Sequence, residues 1–360
     1  MNLLFLNSAR TWGGNEQWTL LAAKSLQSRC GVALAYRDPG VGERFPVPAY
    51  RLPFLNELDP WTLSRLVRIV HAFGIDVLIP TKRKDYVLAG LVARWTGRVN
   101  ILRLGIVREP GKNPADRWVY GKLADGILVN AQSIRRVLLH APFIRPERVR
   151  VVYNGVDVAE IQQMARKEQP EARLFPVQLV SVGLLSWRKG YDLLLRGFAR
   201  ALQRWPGPEK PGLVIVGDGP DAEAIRHLAQ ELKLGRHVRF LGARRNPFPV
   251  VAASDAFVLV SRNEGVPNAM LEAMALGKPV LVTAAGGTAE VIRQRQNGIL
   301  VEPDEHALAS SVLEVLQDVG LREKLGREAK QTVLKRFTLE RMAEEILRFC
   351  EEVRWRRSAS

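Results

Sequence analysis

Short β-rich runs alternate with helical patterns from one end of this chain to the other, and that alternation restricts the fold more than any other feature. Repeated βα units give a parallel sheet covered on both faces by helices. In the first half the spacing predicts strands at 2–7, 32–36, 76–80, 100–104, 126–130 and 149–153. Asp59-Pro60-Trp61 opens a helical run to Phe73, with Asp59 placed to cap the first amides and Pro60 suited to the first helical position. After a polar, helix-breaking stretch at 165–176 a second series follows, at 178–183, 212–217, 237–241, 256–261, 278–283 and 298–301. Thr338 then caps a last amphipathic helix running to about Val353. One βα architecture used twice predicts an α/β protein with two Rossmann-like domains, 1–160 and 176–336, followed by a C-terminal helix in 337–360. Two open sheets facing each other would leave a cleft lined by strand C-terminal ends, where such folds bind ligands.

Composition narrows the class further. A chain of 360 residues favours two domains, and 47% hydrophobic with 25% charged residues is ordinary for a globular protein. The two cysteines, Cys30 and Cys350, stand far apart, so neither a disulfide framework nor a zinc site is expected, and a reducing, cytoplasmic setting fits. The opening residues lack a basic n-region and turn polar after a few apolar positions, which reads as a buried strand rather than a signal peptide. The net charge of +16 is open to two readings, a solvated arginine-rich surface or one that meets an anionic membrane surface or an anionic substrate. Nucleic acid is not expected, because no aromatic residues interleave with the basic ones in a binding-module pattern.

Four loops carry the chemistry. Ser261-Arg262-Asn263-Glu264-Gly265-Val266-Pro267-Asn268-Ala269-Met270-Leu271-Glu272 follows an apolar strand and enters a helix near Asn268. Glu264 then lies at a strand end and Glu272 about one turn into the helix, where carboxylates suit the hydroxyl pairs of a sugar and a ribose. The amides around Gly265 and the helix N-terminus suit phosphate. Two isolated glutamates would be surface charge; this strand–loop–helix context argues for a site. One strand later, Gly286 and Gly287 offer a second turn before a helix, and Val182-Gly183-Leu184-Leu185-Ser186-Trp187-Arg188-Lys189-Gly190 offers a third. Lys189 there can neutralise a diphosphate leaving group, with Arg188 as a second cation. In the first half, Gly13 and Gly14 follow the opening strand and allow close backbone approach to a ligand. The GxGxxG pattern and an acidic residue at the ribose distance are absent, which argues against a nicotinamide enzyme.

These residues, in this order, resemble the retaining glycosyltransferase family four, which has the two-domain GT-B fold. The likeness covers nearly the whole chain: Gly13-Gly14, Asn154-Gly155-Val156-Asp157, Gly183 with Lys189-Gly190, Val216-Gly217-Asp218-Gly219-Pro220, and the Glu264/Glu272 pair in its EGVPN context. The resemblance implies that Lys189 binds donor phosphates, that Glu264 contacts the donor sugar and Glu272 the ribose, and that the last helix returns to the first domain. Gly183, Gly217, Gly265, Val266, Pro267, Asn268, Gly286 and Gly287 would complete the nucleotide-sugar site. Two positions depart from the family. Leu184 stands where an arginine often follows the glycine, and the segment Ile101-Leu102-Arg103-Leu104-Gly105-Ile106-Val107-Arg108 has no histidine at the acceptor side. Arg103 or Arg108 is the candidate substitute.

The expected reaction is transfer of a sugar from a nucleotide-sugar donor to a glycan or lipid-linked acceptor with retention of configuration. The expected setting is cell-envelope or lipopolysaccharide synthesis, with the protein peripheral on the inner face of the cell membrane. No Asp-x-Asp pair or metal-ligand cluster is visible, so metal-independent chemistry without a resident cofactor is expected. Two alternatives stay open at this stage: a non-catalytic GT-B module binding nucleotide or glycan, and another GT-B enzyme such as a nucleotide-sugar epimerase.

Overall fold

The structure, a computed structural model, describes residues 1–111, 113–167 and 172–359. Of the helix-breaking stretch at 165–176, residues 168–171 lie outside the described residues. The chain forms two compact units, Met1–Gly155 with Leu339–Ser360, and Val156–Thr338.

The first unit is built on a parallel sheet of β1 (Asn2–Asn7), β2 (Gly31–Tyr36), β3 (Ala49–Arg51), β4 (Val77–Pro80), β5 (Val99–Leu104), β6 (Gly126–Val129) and β7 (Val149–Val151). Their order is β3-β2-β1-β4-β5-β6-β7. Leu3, Leu4, Phe5 and Leu6 are all fully buried, as a central strand covered on both faces requires. β3 was not expected from the sequence. It is a three-residue edge strand between Pro48 and Pro53, too short for an alternation signal. β7 stops at Val151, two residues before its expected end.

Helices close both faces. Pro60–Ala72 begins as expected, with Asp59 Oδ1 accepting from the Trp61 amide at 3.1 Å, and packs with Arg83–Thr96 on one side. On the other side Gly14–Leu26 packs with the last helix, Leu339–Ser358, which runs five residues beyond the expected Val353. Leu339, Met342, Ile346, Phe349, Cys350 and Val353 recur at helical spacing and are all buried. Past that apolar stripe the helix is held by Arg357, whose Nη1 lies 2.7 Å from Asp125 Oδ2.

The second unit carries β8 (Gln178–Val182), β9 (Gly212–Val216), β10 (Val238–Phe240), β11 (Ala256–Leu259), β12 (Val280–Thr283) and β13 (Ile299–Val301) in the order β10-β9-β8-β11-β12-β13. All its pairings are parallel. The helix Val158–Ala165, which a first domain ending at residue 160 would have divided, lies wholly in this unit. Asp157 starts it by accepting from the Glu160 amide at 2.8 Å, and it packs beside Phe248–Ala253 and Asn268–Ala275. Among the described residues no helix is long and apolar enough to cross a membrane.

Each sheet therefore reverses its strand order once, between β1 and β4 in the first unit and between β8 and β11 in the second. At such a point successive βα loops part to opposite sides and leave a crevice outside the strand C-termini.

Candidate functional site

The β8/β11 reversal point brings the adjacent Arg188 and Lys189 onto Glu264, which lies 75 positions beyond Lys189. After β8 the chain forms a short turn, Trp187–Lys189, ended by Gly190 at φ +71°. A Cβ at Gly190 would lie 2.0 Å from the Val260 carbonyl oxygen, so only glycine lets this loop touch the end of the β11 segment. Asp221 fixes the turn by accepting from the Trp187 amide at 2.8 Å. Lys189 Nζ then reaches Glu264 Oε1 in an ion pair and hydrogen bond. Arg188 Nη1 stands 3.5 Å from the same oxygen and donates to the Asn263 carbonyl at 2.8 Å.

Glu264 is only 6% exposed, and a buried carboxylate is costly unless paired and hydrogen-bonded. Two cations beside one carboxylate leave the cluster a net positive charge at a strand end. A second contact locks the frame: Arg262 grips Asp192 with both terminal nitrogens, at 2.8 and 2.6 Å, and its amide donates to the Arg188 carbonyl at 2.9 Å. Sequence reading did not single out this clasp, because its partners are 70 positions apart and Asp192 belongs to no motif.

From Glu264 the chain passes Gly265 and Val266 to Pro267, the N-cap of helix Asn268–Ala275, where no side chain caps the helix. That helix end retains its positive dipole for an anion. Glu272 sits one turn in, half-buried, with no hydrogen bond or ion pair to its side chain among the described residues. Burial pushes its carboxyl up to about 7, with no neighbouring cation to oppose the effect. Among the described residues it is an acceptor group without protein donors.

Two expected glycines act differently from the sequence reading. Gly287 does not present its amide to a ligand; that amide donates to the Gly265 carbonyl at 3.1 Å, so the Gly286–Gly287 turn braces the Glu264 loop from behind. The helix it was expected to open is a single turn, Thr288–Val291. Gly217 has φ +148°, and a Cβ there would meet the Gly183 carbonyl oxygen at 1.9 Å. Gly217 and Gly183 therefore let the ends of β8 and β9 pass backbone to backbone.

At the β1/β4 reversal of the first unit, Gly13 and Gly14 open helix Gly14–Leu26, with Gly13 in extended backbone that any residue adopts. Glu16 from that helix pairs with Lys82 from the loop after β4 at 2.7 Å, and Asn7 donates to Glu16 at 3.3 Å. Asp85 lies alongside, accepting from the Ser8 amide at 3.0 Å, its carboxyl pushed up to about 6 by burial. This polar cluster escaped the sequence reading, since its members fall in no recognisable motif.

Arg103 and Arg108 are not brought together. Arg103 is 4% exposed, its Nη1 bonded to Asn15 Oδ1 at 2.5 Å and its guanidinium 4.2 Å above the Trp18 ring, and burial pushes its pKa down to about 10. It supports the Gly13–Gly14 loop from within and offers no open face to a ligand. Arg108 is exposed. Among the described residues no group of three or more His, Cys, Asp or Glu side chains is placed to hold a metal ion.

The family described as glycosyl transferases group 1 matches residues 164–332, and that described as glycosyltransferase family 4 matches residues 12–160. The chain is 27% identical over 342 residues to the lipopolysaccharide core biosynthesis glycosyltransferase LpsE of Rhizobium meliloti, covering 93% of this chain and 95% of that protein. It is 30% identical over 313 residues to an N-acetylgalactosaminyltransferase of Campylobacter jejuni that acts on an undecaprenol-diphosphate-linked saccharide, covering 82% of each. Among solved structures, Anabaena HepE in complex with UDP-glucose superposes with a TM-score of 0.83 at 22% identity, over 98% of this chain and 100% of that one.

Proposed function

This chain belongs to the GT4-type glycosyltransferases of the GT-B fold, and on that premise we propose that its second unit binds a nucleotide-sugar donor at the β8/β11 reversal point. The observation that carries the reading is the convergence of Lys189 and Arg188 on the buried Glu264 carboxylate. In this assignment Lys189 and Arg188 take the donor diphosphate and Glu264 takes a sugar hydroxyl. Glu272 accepts from the ribose hydroxyls, and the uncapped helix end at Asn268 faces a phosphate. Gly183, Gly217, Gly265, Val266 and Pro267 shape the backbone around the nucleotide, with Gly286 and Gly287 behind them. Gly13 and Gly14 line the acceptor-side loop.

The reaction breaks the bond between the anomeric carbon and the β-phosphate oxygen and forms one to an acceptor oxygen. The acceptor's proton passes to the departing phosphate on the same face, which retains configuration and asks no strong base of the protein. Its work is to position the reactants and to neutralise the leaving group. That charge is met here by side chains and a helix end, so we assign a metal-independent transfer with no resident cofactor.

HepE, solved with UDP-glucose, supports a uridine nucleotide as the first donor to try. The relatives named for lipopolysaccharide core and undecaprenol-linked saccharides support a glycan or lipid-linked acceptor of the cell envelope. A net charge of +16 suits attachment to the anionic inner face of the cytoplasmic membrane. A screen of UDP-sugars for thermal stabilisation, followed by assay of nucleotide release, tests the donor assignment. Stabilisation by UDP-sugars that is lost in Lys189→Ala is expected; equal stabilisation in that variant would contradict it.

A further inference from the structure

The first unit contains a pocket of about 580 Å³ that no part of the donor reading uses. Its lining includes Arg10, Arg37, Asp38, Arg51, Trp61 and Arg65. Arg10 follows β1, Arg37 follows β2 and Arg51 ends β3, and the register pairs Tyr36 with both Asn7 and Arg51. The three loops therefore leave the sheet side by side, at the end where parallel α/β sheets take ligands. Arg65 comes from helix Pro60–Ala72.

Four guanidinium groups thus share one concavity with a single carboxylate. None of the four has a side-chain hydrogen bond or ion pair with a described residue. Asp38 is already engaged, accepting from the Gly40 amide at 2.9 Å to cap the next turn. Elsewhere in this chain arginines are commonly paired, as Arg262 is with Asp192 and Arg357 with Asp125. Four unpaired like charges repel one another in the free protein, and an anion placed among them relieves that repulsion. A phosphate fits the demand better than a carboxylate, because its dianion can take donors on several oxygens at once. Beside the arginines stands Trp61, 70% exposed at the first turn of its helix, an apolar plate for the C–H face of a sugar ring. The volume lies within the range of small-molecule sites, roughly 300–1,000 Å³.

We propose that this pocket holds a phosphorylated saccharide, its phosphate among Arg10, Arg37, Arg51 and Arg65 and its ring against Trp61. Taking that saccharide as part of the acceptor rests on the transferase reading above. A concave pocket with one aromatic wall favours a discrete phosphate on a glycan over a membrane surface, which would meet charges spread over a plane.

The test is calorimetric titration of the full chain with a phosphorylated core oligosaccharide from bacterial lipopolysaccharide and with the same material dephosphorylated by hydrogen fluoride. Binding of the phosphorylated form at least ten-fold tighter is expected, with that preference lost in Arg37→Gln/Arg51→Gln. Arg10→Gln/Arg65→Gln serves as a second pair should the first melt at lower temperature than the parent. Equal binding of both oligosaccharides, or of neither, overturns the proposal. So does arginine-dependent binding to phosphatidylglycerol vesicles without a preference for the phosphorylated saccharide, which would make the pocket a lipid contact. Nucleotide release from UDP-sugars by the unaltered chain is measured separately. Its failure would count against the transferase reading while the titration still decides whether the pocket takes a sugar phosphate.

Discussion

Glu272→Gln should make the free protein more stable and the donor bind more weakly. In the folded chain burial pushes the Glu272 carboxyl up from 4.5 to about 7, with no donor or cation among the described residues to compensate. Because the folded pKa is the higher one, this carboxyl costs no stability below pH 4.5. Its cost grows as pH rises from 4.5 to about 7 and stays constant above that. The full shift corresponds to about 3.5 kcal/mol at about 1.4 kcal/mol per pH unit, and partial access to water reduces it to about 1–3 kcal/mol. A glutamine of the same shape is neutral throughout. Urea unfolding should therefore find the variant equal to the parent near pH 4.5 and about 1–3 kcal/mol more stable at pH 8. Donor binding should move the other way. Hydrogen bonds to a charged acceptor contribute about 1.5–3 kcal/mol, so the variant should bind UDP about ten- to a hundred-fold more weakly at pH 8. For the parent, UDP affinity should fall as pH drops below 7, since ribose hydroxyls select the ionised form. A variant no more stable at pH 8, or one binding UDP as tightly as the parent, would refute this account of Glu272.

Other perturbations test separate parts of the structure. Excess EDTA should leave the transfer rate unchanged, and restoration of a lost rate by Mg²⁺ or Mn²⁺ would contradict the metal-independent assignment. Gly190→Ala places a Cβ 2.0 Å from the Val260 carbonyl oxygen at φ +71°. It should cost about 2 kcal/mol or more in urea unfolding and weaken UDP binding at least ten-fold by parting Lys189 from Glu264. Phe349→Ala empties a fully buried site packed against Gly126 and should destabilise the first unit by about 3–5 kcal/mol. Burial pushes the neighbouring Cys350 thiol far up, so it should resist alkylation until the chain unfolds.

Much of this architecture is legible in the sequence because parallel strands buried on both faces leave unbroken apolar runs. Leu3–Leu6 and Val280–Val282 are of that kind. β3 is not legible, since three residues between prolines carry no period. The Glu264–Glu272 segment is readable as a site because its spacing is local to one strand, loop and helix. Its junction with Lys189 depends on β8 and β11 being neighbours, which no local pattern encodes. The same reason hides the Glu16–Lys82 pair and the four-arginine pocket, whose members come from separate elements of the unit. Arg103 shows the converse: its place in the acceptor-side segment that lacks a histidine made it a candidate, and the structure sets its side chain on Trp18 and Asn15 inside the unit. Gly287 is similar, a glycine in the right place whose amide is already bonded to Gly265.

On the proposed reading Lys189, drawn onto Glu264 at the β8/β11 reversal, carries the charge of the departing nucleotide diphosphate. Single-turnover release of nucleotide from the preferred donor, measured for the parent and Lys189→Ala alongside their melting curves, tests it most directly. Release should fall about a hundred- to a thousand-fold in the variant with its melting transition retained. A variant that melts like the parent and releases nucleotide at nearly the parent's rate would contradict it.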